Sequence, residues 1–235
     1  MPKPFLTAEW RKLVMANYVV DPALLAPWLP PKTELDLWNN QCFVSLVGFM
    51  FLNTRVKGFK IPFHINFEEI NLRFYVRHGK KRGVVFIKEI VARPAVSFIA
   101  NKFFNENYET LHTDHSWIAS PATMNVEYRW KKGDWNTLRV STEKTPLTIV
   151  NGSEEEFITE HYWGYTKIND ATSMEYEVNH PRWEVYPART YHVDVDFVKV
   201  YGEPFAFLTR QKPASVFLAE GSLISVQSAQ KIQLP

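Results

Sequence analysis

The chain has 235 residues and a mass of 27.5 kDa, with 46% hydrophobic and 22% charged residues, the proportions of an ordinary globular protein. Aromatic residues reach 15%, enough to build a large core, which excludes a disordered tail. Lysine and arginine (27) nearly balance aspartate and glutamate (25), so no net basic field points to nucleic acid, and the single cysteine, Cys42, excludes an intramolecular disulfide framework and a multi-cysteine zinc site.

The start, MPKPFLTAEWRKLV, lacks the apolar run of a secretory peptide, and the most apolar stretch, Cys42 to Leu52, is too short to span a bilayer. A cytoplasmic, reducing location and no membrane partner are the expectation. The formal glycosylation sequon at Asn151 then goes unused. No linker, low-complexity segment or internal repeat divides the chain, so one domain over residues 1–235 is expected.

In chain order, Thr7 is placed to cap a first helix carrying Trp10, Leu13 and Val14 on one side, with Glu9 in its first turn. Asp21-Pro22 joins a cap to a proline at the first helical position and opens a short helix that Pro30-Pro31 ends. The period then changes to two. Cys42 lies in the apolar strand QCFVSLVGF, where a buried, inert thiol is expected. From Phe67 to Arg77, Ile70, Leu72, Phe74 and Val76 share one face, and Glu69, Asn71, Arg73, Tyr75 and Arg77 share the other. HGKKRG turns the chain into a second strand, Val84 to Ala92. Pro94 starts a helix with Ala95, Phe98, Ile99 and Phe103 at helical spacing. Met124 to Trp130 alternates and returns through Lys132-Gly133-Asp134 into WNTLRVSTE. Ser153 to Glu156 is a capping box opening a helix in EEEFITEHYW. Further strands are expected at Met174 to Asn179, Arg189 to Val200, Phe205 to Thr209 and Val216 to Ala219. The fold class is mainly β and antiparallel, with a few short helices. Closure into a barrel or sandwich would remove its exposed edges.

No two glycines are spaced G-x-G, so neither a dinucleotide fingerprint nor a P-loop can be written, and G-x-S-x-G and H-E-x-x-H are absent too. His112 and Asp114 share a strand face, as do His192, Asp194 and Asp196; side by side, two such strands would offer a metal site, but any solvated strand has this spacing, and no metal is expected. The face of Glu69, Asn71, Arg73, Tyr75 and Arg77 reads as surface by the habit of half-solvated sheets, and as an interior lining if the sheet closes. An interior arginine would need a partner. His180, before Pro181 and near Trp183 and Tyr186, is either a ligand-holding group or a structural turn. The aromatic-basic stretches YVRHGKKR and EYRWKKGDW read as soluble hairpin tips, and no nucleic-acid partner is expected.

Taken in order, VDPALLAPWLP, FEEINLRFYV, RGVVFIKEIVA, FITEHYWGYT and YEVNHPRWEVYPA resemble the YqjF-like family of uncharacterised bacterial proteins, a domain of unknown function in the acetoacetate decarboxylase-like superfamily. The resemblance runs from about Tyr18 to the C-terminal strands, and implies a closed, cone-like antiparallel β-barrel with a central pocket. It also implies departures. In the decarboxylases a pocket lysine, after a glycine-x-proline, forms a Schiff base next to a second lysine. In ANKFFNENYETL, Asn105 and Asn107 stand where the glycine and proline would, and Tyr108 where the lysine would; tyrosine forms no imine. Asn101 and His161 replace arginines usual in the family, while Glu69 matches a pocket glutamate. Lys102 and Lys88 are the remaining candidate amines, and neither has a second lysine beside it.

The expected function is binding of a small organic ligand, an anionic one among the options, in a central pocket. The pocket residues expected are Glu69, Arg73, Tyr75, Tyr108, Glu160, Tyr162 and His180, with no cofactor. Arg73 would hold an anionic group, Tyr108 and Tyr162 would donate hydrogen bonds or act as acid and base, and Glu69 would accept a proton or pair with Arg73. Two alternatives stand beside it: lyase or hydratase chemistry on a keto or enol acid without an imine, and a non-catalytic scaffold whose cavity is filled by aromatic side chains. The sequence leaves the oligomeric state open.

Overall fold

The structure is a computed structural model and describes residues 3–233. In chain order the first strands are β1 (Leu6–Val20), β2 (Glu34–Leu35), β3 (Cys42–Val56), β4 (Phe67–His78) and β5 (Lys81–Val91). After α1 (Pro94–Phe104) come β6 (Tyr108–Thr110), β7 (His112–Ala119), β8 (Thr123–Lys132), β9 (Asp134–Glu143) and β10 (Leu147–Thr148). Then follow α2 (Glu154–Thr159), β11 (Trp163–Lys167), β12 (Thr172–Asn179), β13 (Glu184–Asp194), α3 (Phe197–Tyr201), β14 (Ser215–Val226) and β15 (Gln230–Gln233). The chain is mainly β. Among the described residues no helix is long and apolar enough to cross a membrane.

Hydrogen bonding runs β12-β11-β5-β4-β3-β1-β14, and β14 pairs back with β12 through Val178 opposite Val226 and Asn179 opposite Ser225, so these seven strands form a ring. One junction is parallel, where Trp163 and Gly164 of β11 lie beside Gly83 and Val84 of β5. Beyond β14 the sheet continues as β13-β9-β8-β7 and folds over the outside of the ring.

This arrangement buries β4 on both faces. Ile70, Leu72, Phe74 and Val76 point outward into a core shared with Tyr128 and Trp130 of β8, Leu138 and Val140 of β9, and Phe197 and Val200 of α3. The approach is tightest at Gly48 of β3, where an added Cβ would stand 2.9 Å from the Tyr128 ring. A side chain there would drive β8 off the ring. The other face of β4 looks into the ring. Glu69, Asn71, Arg73 and Tyr75 are 2%, 1%, 8% and 1% exposed, so the polar face is interior and the surface reading is wrong. Ring closure overrides the ordinary rule that an antiparallel sheet solvates its polar face. Only Arg77, at the strand's end, is exposed, pairing with Glu34 at 3.0 Å.

Three helix starts fall where the sequence signals them. Asp21 accepts from Ala23 N at 2.8 Å to cap a 3-10 helix over Pro22–Trp28, Pro94 opens α1, and Ser153 Oγ accepts from Glu156 N at 3.2 Å at the start of α2. Three other expectations are corrected. The helix expected after Thr7 is strand β1, paired along its length with β3 and β14. Register shifts between Thr7 and Glu9 and between Arg11 and Val14 break its alternation, which is why Trp10, Leu13 and Val14 mimic helical spacing. The strand expected over Arg189 to Val200 stops at Asp194 and gives way to α3, capped by Asp196 through Lys199 N at 2.9 Å. Phe205 to Thr209 belongs to a 3-10 helix over Glu203–Thr209 that buries Phe205 and Leu208. The α2 helix also ends early, at Thr159, because β11 starts at Trp163.

The side-by-side strands that a metal site would need are not neighbours: β9 and β8 lie between β13 and β7. Asp114 pairs with Arg129 instead, and His112 packs on Trp135. Among the described residues no group of three or more histidine, cysteine or carboxylate side chains is arranged to hold a metal ion. Cys42 is buried, which pushes its thiol up to about 11 and keeps it protonated.

Candidate functional site

A cavity of about 140 Å³ lies inside the ring. At ~30 Å³ per water it has room for roughly five waters or one small organic molecule. Aromatic and aliphatic side chains form most of its wall, including Trp10, Phe49, Phe51 and Trp183, with α1 contributing Ile99 and Phe104. The polar groups converge from a few elements. β4 supplies Glu69, Asn71 and Arg73; β5 supplies Glu89; the segment after α1 supplies Glu106 and Tyr108.

That segment is built for the purpose. Asn105 ends α1 in the left-handed region at φ 57°, a conformation that glycine and asparagine accept most readily, so it takes over the role of the glycine it stands in for. Asn107 donates to Ile87 O at 2.8 Å. Asn101 clamps Tyr108 from both sides, accepting from its N–H at 2.8 Å and donating to its carbonyl at 3.1 Å. β6 then runs parallel to β5 with Tyr108 beside Glu89. The two-residue period puts Glu106 and Tyr108 on the cavity side together.

Glu89 arrives through a β-bulge. Leu72 faces Lys88 but Arg73 faces Phe86, so Ile87 is an extra residue in β5. Val84 and Phe86 line the cavity before the bulge, and Glu89 lines it after. Without the bulge the cavity position would fall to Lys88. Lys88 instead turns outward and donates to Val200 O at 2.7 Å and Glu109 at 3.0 Å. Lys102 rests over the exposed Phe98 ring. Among the described residues no lysine lines the cavity.

The polar contacts are few. Tyr108 donates to Glu69 Oε2 at 2.8 Å and Asn71 to Glu69 Oε1 at 3.1 Å. Tyr176 donates to Glu106 Oε1 at 2.7 Å. Arg73 Nη2 donates to Ile158 O at 3.2 Å, and no carboxylate pairs with this arginine among the described residues. On the side chains that line the cavity, the buried atoms without a partner are Arg73 Nε, Asn71 Oδ1, Glu89 Oε2, Glu106 Oε2, His161 Nδ1, Trp10 Nε1 and Thr54 Oγ1.

Burial sets the charge states. It raises Glu69 to about 7 against the hydrogen bonds from Tyr108 and Asn71, which favour the carboxylate. It raises Glu106 to about 7 as well, and Glu89 further, since Glu106 and Glu69 are close by. Tyr108 and Tyr176 are held firmly as phenols. His161 is pushed down to about 4 by burial although its Nε2 lies 3.1 Å from Asp36, which also accepts from Arg82 at 2.6 Å. Its ring is therefore neutral, with the proton on Nε2 donated to Asp36 and a lone pair on Nδ1. Burial and the nearby Arg73 likewise lower His180.

Of the seven pocket residues expected from sequence, Glu69, Arg73, Tyr108 and His180 line this cavity. His180 does so while stacking on Trp183 at 4.2 Å, so its two readings coexist. The other three lie behind the wall. Tyr75 shares a 2.6 Å hydrogen bond with Ser45 and packs its ring 4.7 Å from His161. The Tyr162 ring packs against His180, tilted by 41° with centroids 4.8 Å apart. Glu160, at the end of α2, turns away to Arg182, which also binds Glu156. The sequence reading missed Glu89, Glu106, His161 and Asn71 as members of the site. Asn71 was marked by its place between Glu69 and Arg73, and Glu106 by its spacing of two from Tyr108.

Seven strands closed around a cavity with short helices at its edge is the fold of the acetoacetate decarboxylases. The chain superposes on the acetoacetate decarboxylase of Legionella pneumophila with a TM-score of 0.68 at 13% identity, covering 98% of this chain and 88% of that one. It superposes on an acetoacetate decarboxylase-like enzyme of Sphingomonas wittichii RW1 with a TM-score of 0.67 at 11% identity, covering 100% and 95%. With MppR, an enduracididine biosynthesis enzyme complexed with the condensation product of pyruvate and imidazole 4-carboxaldehyde, the TM-score is 0.70 at 10% identity, covering 99% and 91%. Residues 7–223 match the DUF2071 family of uncharacterized conserved proteins, and the chain belongs to that family. Among its relatives is the uncharacterized protein YqjF of Bacillus subtilis strain 168, 25% identical over 177 residues, which span 74% of this chain and 72% of that protein.

Proposed function

We propose that this protein binds a small organic anion, a carboxylate, in the cavity, with Arg73 as its anchor. The chain then acts as one domain, a closed cone-like barrel, in the cytoplasm. The observation that carries this reading is Arg73 itself. The residue is 8% exposed, and its guanidinium makes one hydrogen bond to a backbone carbonyl and leaves Nε without a partner. A buried arginine without a carboxylate costs several kcal/mol, and an anionic ligand offsets that cost. The planar fork matches a carboxylate with two parallel hydrogen bonds. Support also comes from MppR, which has been solved with pyruvate on the same fold. The cavity is open space, which disfavours the scaffold alternative.

A second reading, lyase or hydratase chemistry, is favoured by one specific pair. Glu69 is raised to about 7 and receives the Tyr108 hydroxyl, so a proton acceptor poised near neutral pH stands beside a phenol donor. Among the described residues no lysine lines the cavity to form an imine, so such chemistry would run through proton transfer at an enolisable carbon.

Titration calorimetry with pyruvate and acetoacetate tests the binding reading. Saturable binding is expected for the wild type, weakened at least roughly ten-fold by Arg73→Met, as the loss of one charge-assisted bidentate contact requires. Equal affinity in both proteins, with the fold intact by circular dichroism, would contradict it.

A further inference from the structure

The cavity that Arg73 lines also holds three carboxyl groups. Glu89 faces Asn71 across β4 and β5 and lies beside Tyr108 across β5 and β6. Glu69 and Glu106 complete the group, and the three are 2%, 2% and 8% exposed for Glu69, Glu89 and Glu106. Both oxygens of Glu69 are taken by Tyr108 and Asn71. Glu89 Oε2 and Glu106 Oε2 are buried without partners, on side chains that line the cavity. Three carboxyls in one desolvated space repel each other's ionised forms, and no salt bridge joins any of them to Arg73 among the described residues. Glu89 sits at the level of Asn71, two residues along β4 from Arg73, about 7 Å of backbone at ~3.3 Å per residue.

From these unpartnered oxygens we infer a second subsite, for a protonated nitrogen, so that the ligand is dipolar: a carboxylate at Arg73 and an ammonium group between Glu89 and Glu106. An ammonium brings three donors and one positive charge. Two donors would reach the two free oxygens, and the charge would let the carboxyls ionise without mutual repulsion. A neutral hydroxyl or a water fills the same oxygens but compensates no charge. The inference rests on the reading of Arg73 for the carboxylate end only; the ammonium end stands on Glu89 and Glu106.

The test compares pentanoate, 5-hydroxypentanoate, 5-aminopentanoate and pentylamine by titration calorimetry. For the wild type, 5-aminopentanoate is expected to bind at least roughly ten-fold tighter than pentanoate or 5-hydroxypentanoate, the size of one charge-assisted contact. Glu106→Gln and Glu89→Gln should each remove that advantage, read as the ratio of 5-aminopentanoate to pentanoate affinity within the same variant, and thermal unfolding checks that each variant folds. Pentylamine should bind the wild type and Arg73→Met alike, which separates this subsite from the carboxylate anchor: equal pentanoate affinity in the wild type and Arg73→Met would sink the anchor and spare the ammonium site. Pentanoate or 5-hydroxypentanoate binding as tightly as 5-aminopentanoate to the wild type, or pentylamine failing to bind, overturns the inference.

Discussion

The Tyr108 hydroxyl donates to Glu69 Oε2 at 2.8 Å, joining β6 to β4, the two strands that flank β5. The bond holds Glu69 in place and favours its ionised form. Tyr108→Phe removes the donor and leaves a buried oxygen unsatisfied, at a cost of about 1–3 kcal/mol. Urea unfolding should show that loss. Infrared spectroscopy should show a larger fraction of protonated carboxyl at neutral pH. An unchanged unfolding midpoint would mean that the bond contributes nothing.

The buried carboxyls give the fold a pH dependence of unusual sign. Glu69 and Glu106 are raised from 4.5 to about 7, so between those values the folded chain keeps protons that the unfolded chain has lost. Their contribution is present below about pH 4.5 and is lost as pH rises through 7, on the order of 1–3 kcal/mol for each. Glu68, lowered to about 2 by the hydrogen bonds from His115 and Thr113 that outweigh its burial, works the other way. Its contribution is present above 4.5 and is lost as pH falls toward 2. His161, lowered to about 4, and His180, also lowered, work against Glu69 and Glu106 below 6.5, so the test is the difference between proteins. In denaturant unfolding from pH 4.5 to 8, the stability of Glu69→Gln and of Glu106→Gln relative to the wild type should rise with pH, and a difference that does not change with pH would contradict these assignments.

Imine chemistry should be absent. Tyr108 occupies the position at which the resemblance expects the reactive lysine, Lys88 faces outward to Glu109, and Lys102 lies over Phe98. Incubation with acetoacetate and borohydride should leave the mass unchanged. A stable adduct mapped to Lys88 or Lys102 would refute this.

Much of the site was legible and some of it was hidden by backbone irregularity. The alternation of Glu69, Asn71, Arg73 and Tyr75 names one strand face from sequence, but which way that face points depends on ring closure, a long-range event that no local period encodes. Glu89 was hidden more thoroughly. Counting by twos from Val84 puts Lys88 on the cavity side, and only the bulge at Ile87 exchanges it for Glu89. The register shifts in β1 produced the opposite error, turning a strand into an apparent helix. His161 was noticed as a replaced arginine, while its role follows from Asp36, 125 residues away.

The outer layer depends on the absence of a side chain at Gly48. Gly48→Ala places a Cβ within 2.9 Å of the Tyr128 ring, which is itself packed into the core and bonded to Lys12 O at 2.9 Å. The expected destabilisation is about 1–3 kcal/mol, read by thermal unfolding. A neutral outcome would mean that β8 moves freely over the ring, against the packing described above.

The account turns on whether Arg73 meets an anion in the cavity. Its Nε is buried and unpartnered, so its N–H resonance reports ligand arrival directly. Titrating pyruvate or pentanoate into nitrogen-15-labelled protein should shift that resonance in a saturable way, with the signal identified by its absence in Arg73→Met. A resonance that stays fixed while either carboxylate binds elsewhere on the protein would contradict the central claim.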